Sequence, residues 1–112
     1  MTSISTHILD TSTGQPASGV AISLHDASGE LAATITDNDG RASFPAVNIA
    51  ADDSKNTQVQ TLTLRFVTAD YFAPKACLYP EVTITFTVQA TASHYHIPLL
   101  LSPFGYSTYR GS

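Results

Sequence analysis

Residues 94–101, HYHIPLLL, do not suit a sheet with one side in water. In an extended chain residues i and i+2 point the same way, so His96, Pro98 and Leu100 share one side while Tyr95, Ile97, Leu99 and Leu101 line the other. Both sides are mostly apolar, whereas a half-solvated strand alternates apolar with polar residues. Such a strand has to be covered twice, once by its own core and once by something else. In a chain of 112 residues we take the second cover to be another copy of the chain. The segment runs on into SPFGYSTYRGS, and the last nineteen residues hold two histidines, an arginine and three of the five tyrosines.

The rest of the chain is written in short strands. Ile4, Thr6 and Ile8 alternate with Ser5, His7 and Leu9 before the Thr13-Gly14-Gln15-Pro16 turn. Val20, Ile22 and Leu24 alternate with Ala21, Ser23 and His25, and Ala27-Ser28-Gly29 connects them to a strand over residues 31–36. Asp37-Asn38-Asp39-Gly40 is a strong turn, because Asn, Asp and Gly accept the conformations tight reversals need, and it delivers Arg41 to a strand over residues 41–46. Residues 47–58 have neither period and read as a surface loop. Leu62, Leu64 and Phe66 mark a further strand. Asp70-Tyr71-Phe72-Ala73 can make a short helical turn, bounded by Pro74 and Pro80. Val82, Ile84, Phe86 and Val88 alternate with threonines, and strands over 94–101 and 104–110 close the chain. Seven or eight short strands with one short helix predict an all-β, two-sheet antiparallel β-sandwich.

Composition narrows the function classes. With 43% hydrophobic and 12% charged residues the chain is a packed globular one, and we read residues 1–112 as a single domain. A net charge of −4 gives no basic footprint, so nucleic acid is not an expected partner. No run of about 18 apolar residues occurs, so no membrane partner is expected either. The lone Cys77 fits a reducing compartment, and we read the protein as cytoplasmic.

Five blocks in order, THILD with TGQPA (residues 6–17), TDNDGR (36–41), TADYF (68–72), YPEV (79–82) and HYHIPLLLSPFGYSTYRGS (94–112), resemble the transthyretin-related family. Within it they resemble the 5-hydroxyisourate hydrolases of urate breakdown. The closing Tyr109-Arg110-Gly111-Ser112 is the most specific element, since it resembles the ending of the hydrolases and not that of the hormone carrier. The resemblance implies a transthyretin-like sandwich assembled as a homotetramer, a dimer of dimers enclosing a channel, which agrees with the doubly apolar strand. It also implies a small-molecule substrate, 5-hydroxyisourate, opened by water to 2-oxo-4-hydroxy-4-carboxy-5-ureidoimidazoline.

Opening a cyclic acyl linkage needs an activated water, oxyanion stabilisation and a donor-rich grip on a carbonyl-rich ring. The resemblance places His7, Arg41, His96 and Ser112 in the catalytic set, with His7, Arg41, Tyr109 and Arg110 binding substrate or shaping the channel. A neutral imidazole accepts a proton at physiological pH, so His7 or His96 is the base and the other orients water or substrate. Arg41 offers a planar, permanently charged donor fork, and Ser112 a hydroxyl or carboxylate. By alternation His7 and His96 fall on the non-core sides of their strands. His25, His94 and Arg65 read as ordinary polar residues, Tyr71 and Phe72 as core anchors, and Cys77 as a small hydrophobe. Three imidazoles at His7, His94 and His96 would suit zinc. No Cys, Asp or Glu joins them in the matching blocks, so neither metal nor cofactor is expected. Two rivals remain: a transthyretin-like carrier holding an aromatic ligand in the channel, and a β-sandwich accessory module, which PASGVAISLHD resembles alone.

Overall fold

A computed structural model describes residues 2–47, 59–89 and 92–112. Two sheets face each other. The first is centred on β1 (Thr2–Asp10), and β2 (Gln15–Pro16) pairs with its end. The second begins with the hairpin of β3 (Ala21–Asp26) and β4 (Gly29–Ile35). The chain then returns to the first sheet as β5 (Arg41–Val47), antiparallel to β1. It goes back to the second as β6 (Val59–Val67), which continues through α1 (Thr68–Phe72) into β7 (Glu81–Gln89). The remaining strands, β8 (His94–His96), β9 (Leu99–Ser102) and β10 (Gly105–Thr108), complete the first sheet. The second sheet runs β4-β3-β6-β7. The loop expected at residues 47–58 lies outside the described residues from 48 onward, and Val47 closes β5.

The sandwich expected from the alternation is present, with two differences in detail. Ten strands stand among the described residues instead of seven or eight. One extra is the two-residue β2, and the other arises because the expected strand over 94–101 is two strands, β8 and β9. Pro98 lies between them and has no N–H to give a ladder. The sheet is also not purely antiparallel, because β8 and β9 both run parallel to β1. Both kinds of pairing share a side-chain period of two, so the period cannot distinguish them.

The core is filled by the inward halves of these strands. Ile4 and Ile8 of β1, Ile22 and Leu24 of β3, Leu62, Leu64 and Phe66 of β6, Val82 and Val88 of β7, and Leu99 and Leu101 of β9 are all essentially inaccessible. Burying each such side chain contributes roughly 1.5–3 kcal/mol. In β1 burial alternates strictly, so Ile4, Thr6 and Ile8 face inward while Ser3, Ser5 and His7 are left on the outer face.

Phe72 is buried, as expected of a core anchor. Tyr71 ties α1 to the end of β1 by donating its hydroxyl to Asp10 Oδ2 at 2.7 Å. Burial and that bond push the Tyr71 hydroxyl up to about 12. Burial raises Asp10, but hydrogen bonds from Ser12, Tyr71 and Thr13 outweigh it and hold the carboxyl below its usual value.

Candidate active site on the outer face of the β1 sheet

Register decides what stands beside the outward residues of β1. On one side β5 places Arg41 opposite His7 and Ser43 opposite Ser5. On the other, β8 places His94 opposite Ser3 and His96 opposite Ser5. Paired residues in a sheet point to the same face. Ser3, Ser5, His7, Arg41, Ser43, His94 and His96 therefore share one surface, drawn from three strands far apart in sequence.

Two local devices hold Arg41 there. The Asp37 carboxylate accepts the backbone N–H of Asp39 at 2.9 Å and of Arg41 at 3.0 Å, locking the turn ahead of β5. Gly40 adopts φ +74°, and a Cβ at that position would sit 2.5 Å from the Ile8 carbonyl oxygen. Only glycine lets the turn lie this close to β1.

The chain's last residues are laid against β8. Thr108 donates its hydroxyl to the Pro98 carbonyl at 2.6 Å, and the Gly111 N–H donates to the His96 carbonyl at 2.7 Å. The second bond pairs Gly111 with His96 and carries Ser112 to the edge of the outer face. A hollow of about 410 Å³ opens there, lined by Ser5, Asp37, Arg41, His94, His96 and Ser112 among others. That volume suits a small molecule.

Of the residues expected from the sequence, Arg41, His96 and Ser112 line this one hollow. His7 stands beside it, half-buried and in register with Arg41. Tyr109 and Arg110 do not line this hollow. The Arg110 guanidinium sits over the Tyr95 ring, 4.4 Å from its centroid, and borders a second hollow with Thr85, Phe86, Thr87 and Gln89. Tyr109 is 57% exposed. Two participants were not foreseen. His94, read as an ordinary polar residue, lines the hollow, and Ser5 joins both histidines: its Oγ is 2.7 Å from His96 Nδ1 and 3.1 Å from His94 Nε2. The two-residue spacing of His94 and His96 already placed them on one face; nothing in the sequence alone placed Ser5 beside them.

Burial, the charge of Arg41, and the nearby His94 and His7 all lower the His96 pKa. Each of these disfavours the imidazolium and so favours the neutral ring, which has a lone pair available. Arg65, read as a solvated charge, ion-pairs with Glu81 at 2.8 Å on the other sheet, away from this chemistry. His25 contacts Ser23 Oγ through Nε2 at 2.7 Å. Among the described residues, no group of three or more His, Cys, Asp or Glu side chains is arranged to hold a metal ion, and no helix is long and apolar enough to cross a membrane.

Residues 4–111 match the HIUase/Transthyretin family. The 5-hydroxyisourate hydrolase of Deinococcus radiodurans is 37% identical, with 97% of this chain and 95% of that one covered. Its counterpart from Salmonella typhimurium is 40% identical over 97% of this chain and 80% of that protein. Among solved structures, Klebsiella pneumoniae 5-hydroxyisourate hydrolase superposes with a TM-score of 0.82 at 36% identity, covering 99% of this chain and all of the other. Transthyretin from Sparus aurata gives 0.75 at 25% identity, covering 96% and 95%.

Proposed function

The chain belongs to the HIUase/Transthyretin family, and from that premise we propose that it is a 5-hydroxyisourate hydrolase acting in urate breakdown. The observation that carries the reading is the meeting of Arg41 and His96 at one small hollow, with His7 in register beside them. Relatives bearing the hydrolase name cover nearly the whole chain. The transthyretin carrier shares the fold at lower identity. A hollow lined by an arginine, two histidines, serines and an aspartate suits a polar, carbonyl-rich ring better than an apolar hormone.

The chemistry follows from the side chains. Neutral His96 takes a proton from water as its oxygen attacks the cyclic acyl carbon. The Arg41 guanidinium donates to the carbonyl oxygen, where negative charge develops. The ring C–N bond then breaks, leaving a carboxylate on the acyl carbon, and the departing nitrogen takes up a proton. His7, opposite Arg41, orients the water or the ring. Ser112 holds the mouth of the hollow. No step calls on a metal or cofactor.

Four chains assemble with the outer faces of the β1 sheets turned toward a shared channel, where Tyr109 and Arg110 contact substrate or shape the walls. We place the enzyme in the cytoplasm. The test generates 5-hydroxyisourate in place with urate oxidase and follows its ultraviolet band in the presence of this protein. Decay faster than the spontaneous rate is expected, and no acceleration overturns the reading.

A further inference from the structure

Behind His96 runs a chain of polar contacts outside the expected catalytic set. Ser5 Oγ touches His96 Nδ1 at 2.7 Å and His94 Nε2 at 3.1 Å. Ser3 Oγ touches His94 Nδ1 at 2.5 Å and the Ser93 carbonyl oxygen at 3.4 Å. A hydroxyl has one proton, a neutral imidazole has one N–H and one bare nitrogen, and a carbonyl only accepts. A hydroxyl also accepts twice, so the chain has three possible arrangements.

In the first, His96 Nδ1–H donates to Ser5, Ser5 donates to His94 Nε2, His94 Nδ1–H donates to Ser3, and Ser3 donates to the Ser93 carbonyl. Every contact is then a hydrogen bond. In the reverse polarity Ser3 spends its one proton on His94 Nδ1, and the Ser93 contact is lost. His96 would then carry its proton on Nε2, in a hollow it shares with Arg41, whose guanidinium also only donates. In the third, Ser5 accepts from both His96 Nδ1–H and His94 Nε2–H while Ser3 donates to His94 Nδ1, which loses the Ser93 contact and keeps the His96 proton on Nδ1.

We propose that Ser3, His94 and Ser5 are positioning residues that fix the tautomer of His96, holding its proton on Nδ1 and leaving Nε2 bare toward the hollow. Only a bare Nε2 can take a proton from a water in the hollow, because Nδ1 is occupied by Ser5. The catalytic consequence rests on the hydrolase reading; the tautomer does not. Besides these three residues, the titratable groups around His96 include Arg41 on β5, His7 on β1, Asp37 in the turn before β5 and the carboxylate of Ser112.

The experiment is a long-range proton–nitrogen correlation spectrum of histidine-labelled protein at about pH 8, where an ordinary imidazole is neutral. His94 and His96 are both expected as Nδ1–H forms. Ser5→Ala removes the acceptor and should move His96 wholly or partly to the Nε2–H form. It should lower kcat about tenfold or more while leaving KM within about twofold, the signature of a base in the wrong tautomer rather than lost binding. Ser5→Thr keeps the hydroxyl and should restore both tautomer and rate. Ser3→Ala, at the far end, should mix the His94 forms with a smaller fall in kcat. An Nε2–H proton on His96 in the wild-type protein, or an unchanged tautomer in Ser5→Ala, overturns the inference. If Ser5→Ala does not fold, the wild-type spectrum decides. A wild-type protein inactive toward 5-hydroxyisourate would sink the functional reading and leave the spectrum standing.

Discussion

At the residue scale the site depends on what may not be added. A Cβ on Gly111 would lie 2.6 Å from His96 Cδ2 and 3.1 Å from Pro98 Cγ, so any larger residue must push the His96 ring or detach the tail. Gly111→Ala is expected to cut kcat/KM about tenfold or more, a loss of roughly 1.4 kcal/mol of transition-state stabilisation. The melting temperature should barely move, because the tail packs outside the core. Unchanged kinetics would show that the tail does not set the ring.

The charge around His96 gives a second prediction at this scale. Burial and then Arg41 disfavour its imidazolium, so the acid limb of the kcat/KM profile should have its midpoint below the ordinary value of about 6.5. Arg41→Gln removes a positive neighbour, and by NMR titration the His96 pKa should rise toward that ordinary value. The same shift bears on stability. Between the lowered folded pKa and about 6.5 the unfolded chain binds more protons, so stability falls as pH drops through that window.

At the scale of elements, the contact between β1 and α1 is the place to test the fold. Tyr71→Phe deletes the hydroxyl that Asp10, only 3% exposed, uses as a partner. A loss of about 1–2 kcal/mol is expected in urea unfolding. The Asp10 carboxyl is held low in the folded state, so it stabilises above its unfolded pKa and the gain is lost as pH falls through the folded one. Without Tyr71 the folded pKa rises and the acid-unfolding midpoint should move to higher pH.

Elements also show what could be read beforehand. In β7 the written alternation of Val82, Ile84 and Val88 with threonines is the observed alternation of burial. In β4, Leu31 and Ile35 alternate just as regularly, yet both are exposed, because an edge strand of this sheet has little to pack against. The family blocks pointed to His7, Arg41 and His96, the structure sets all three on the outer face of the β1 sheet, and alternation gave the correct side for both histidines. Ser5 was not, because its partnership with His94 and His96 comes from the parallel register of β1 with β8. Register between strands some ninety residues apart leaves no local signal.

At the scale of the whole molecule, both sheets end in strands with open edges, β10 in one and β7 in the other. Near β10, Phe104 is 67% exposed, and Tyr106 packs edge-on to Tyr79, ring centroids 5.3 Å apart. Leu78 and Tyr109 are also exposed. Open strand edges beside exposed aromatic surface are what soluble chains cover by symmetric pairing. The second face of residues 94–101 is already partly covered within one chain, with Pro98 buried and His96 and Leu100 half-buried, so the open edges and exposed aromatics carry the expectation that sedimentation of the wild-type chain gives a four-chain species. Tyr106→Glu places a charge in that contact and should dissociate the assembly while leaving the far-ultraviolet circular dichroism of the sandwich intact, since Tyr106 lies outside the buried core. Among the described residues the outer face of the β1 sheet carries Arg41, His7 and His96 with no second wall over them, and in the proposed assembly a neighbouring subunit would close the site against water. Dissociated Tyr106→Glu should therefore lose at least about tenfold in kcat/KM, and part of that loss should return at protein concentrations high enough to drive reassembly. A monomer with wild-type kcat/KM would show that each chain holds a complete site and that the channel plays no part in the chemistry.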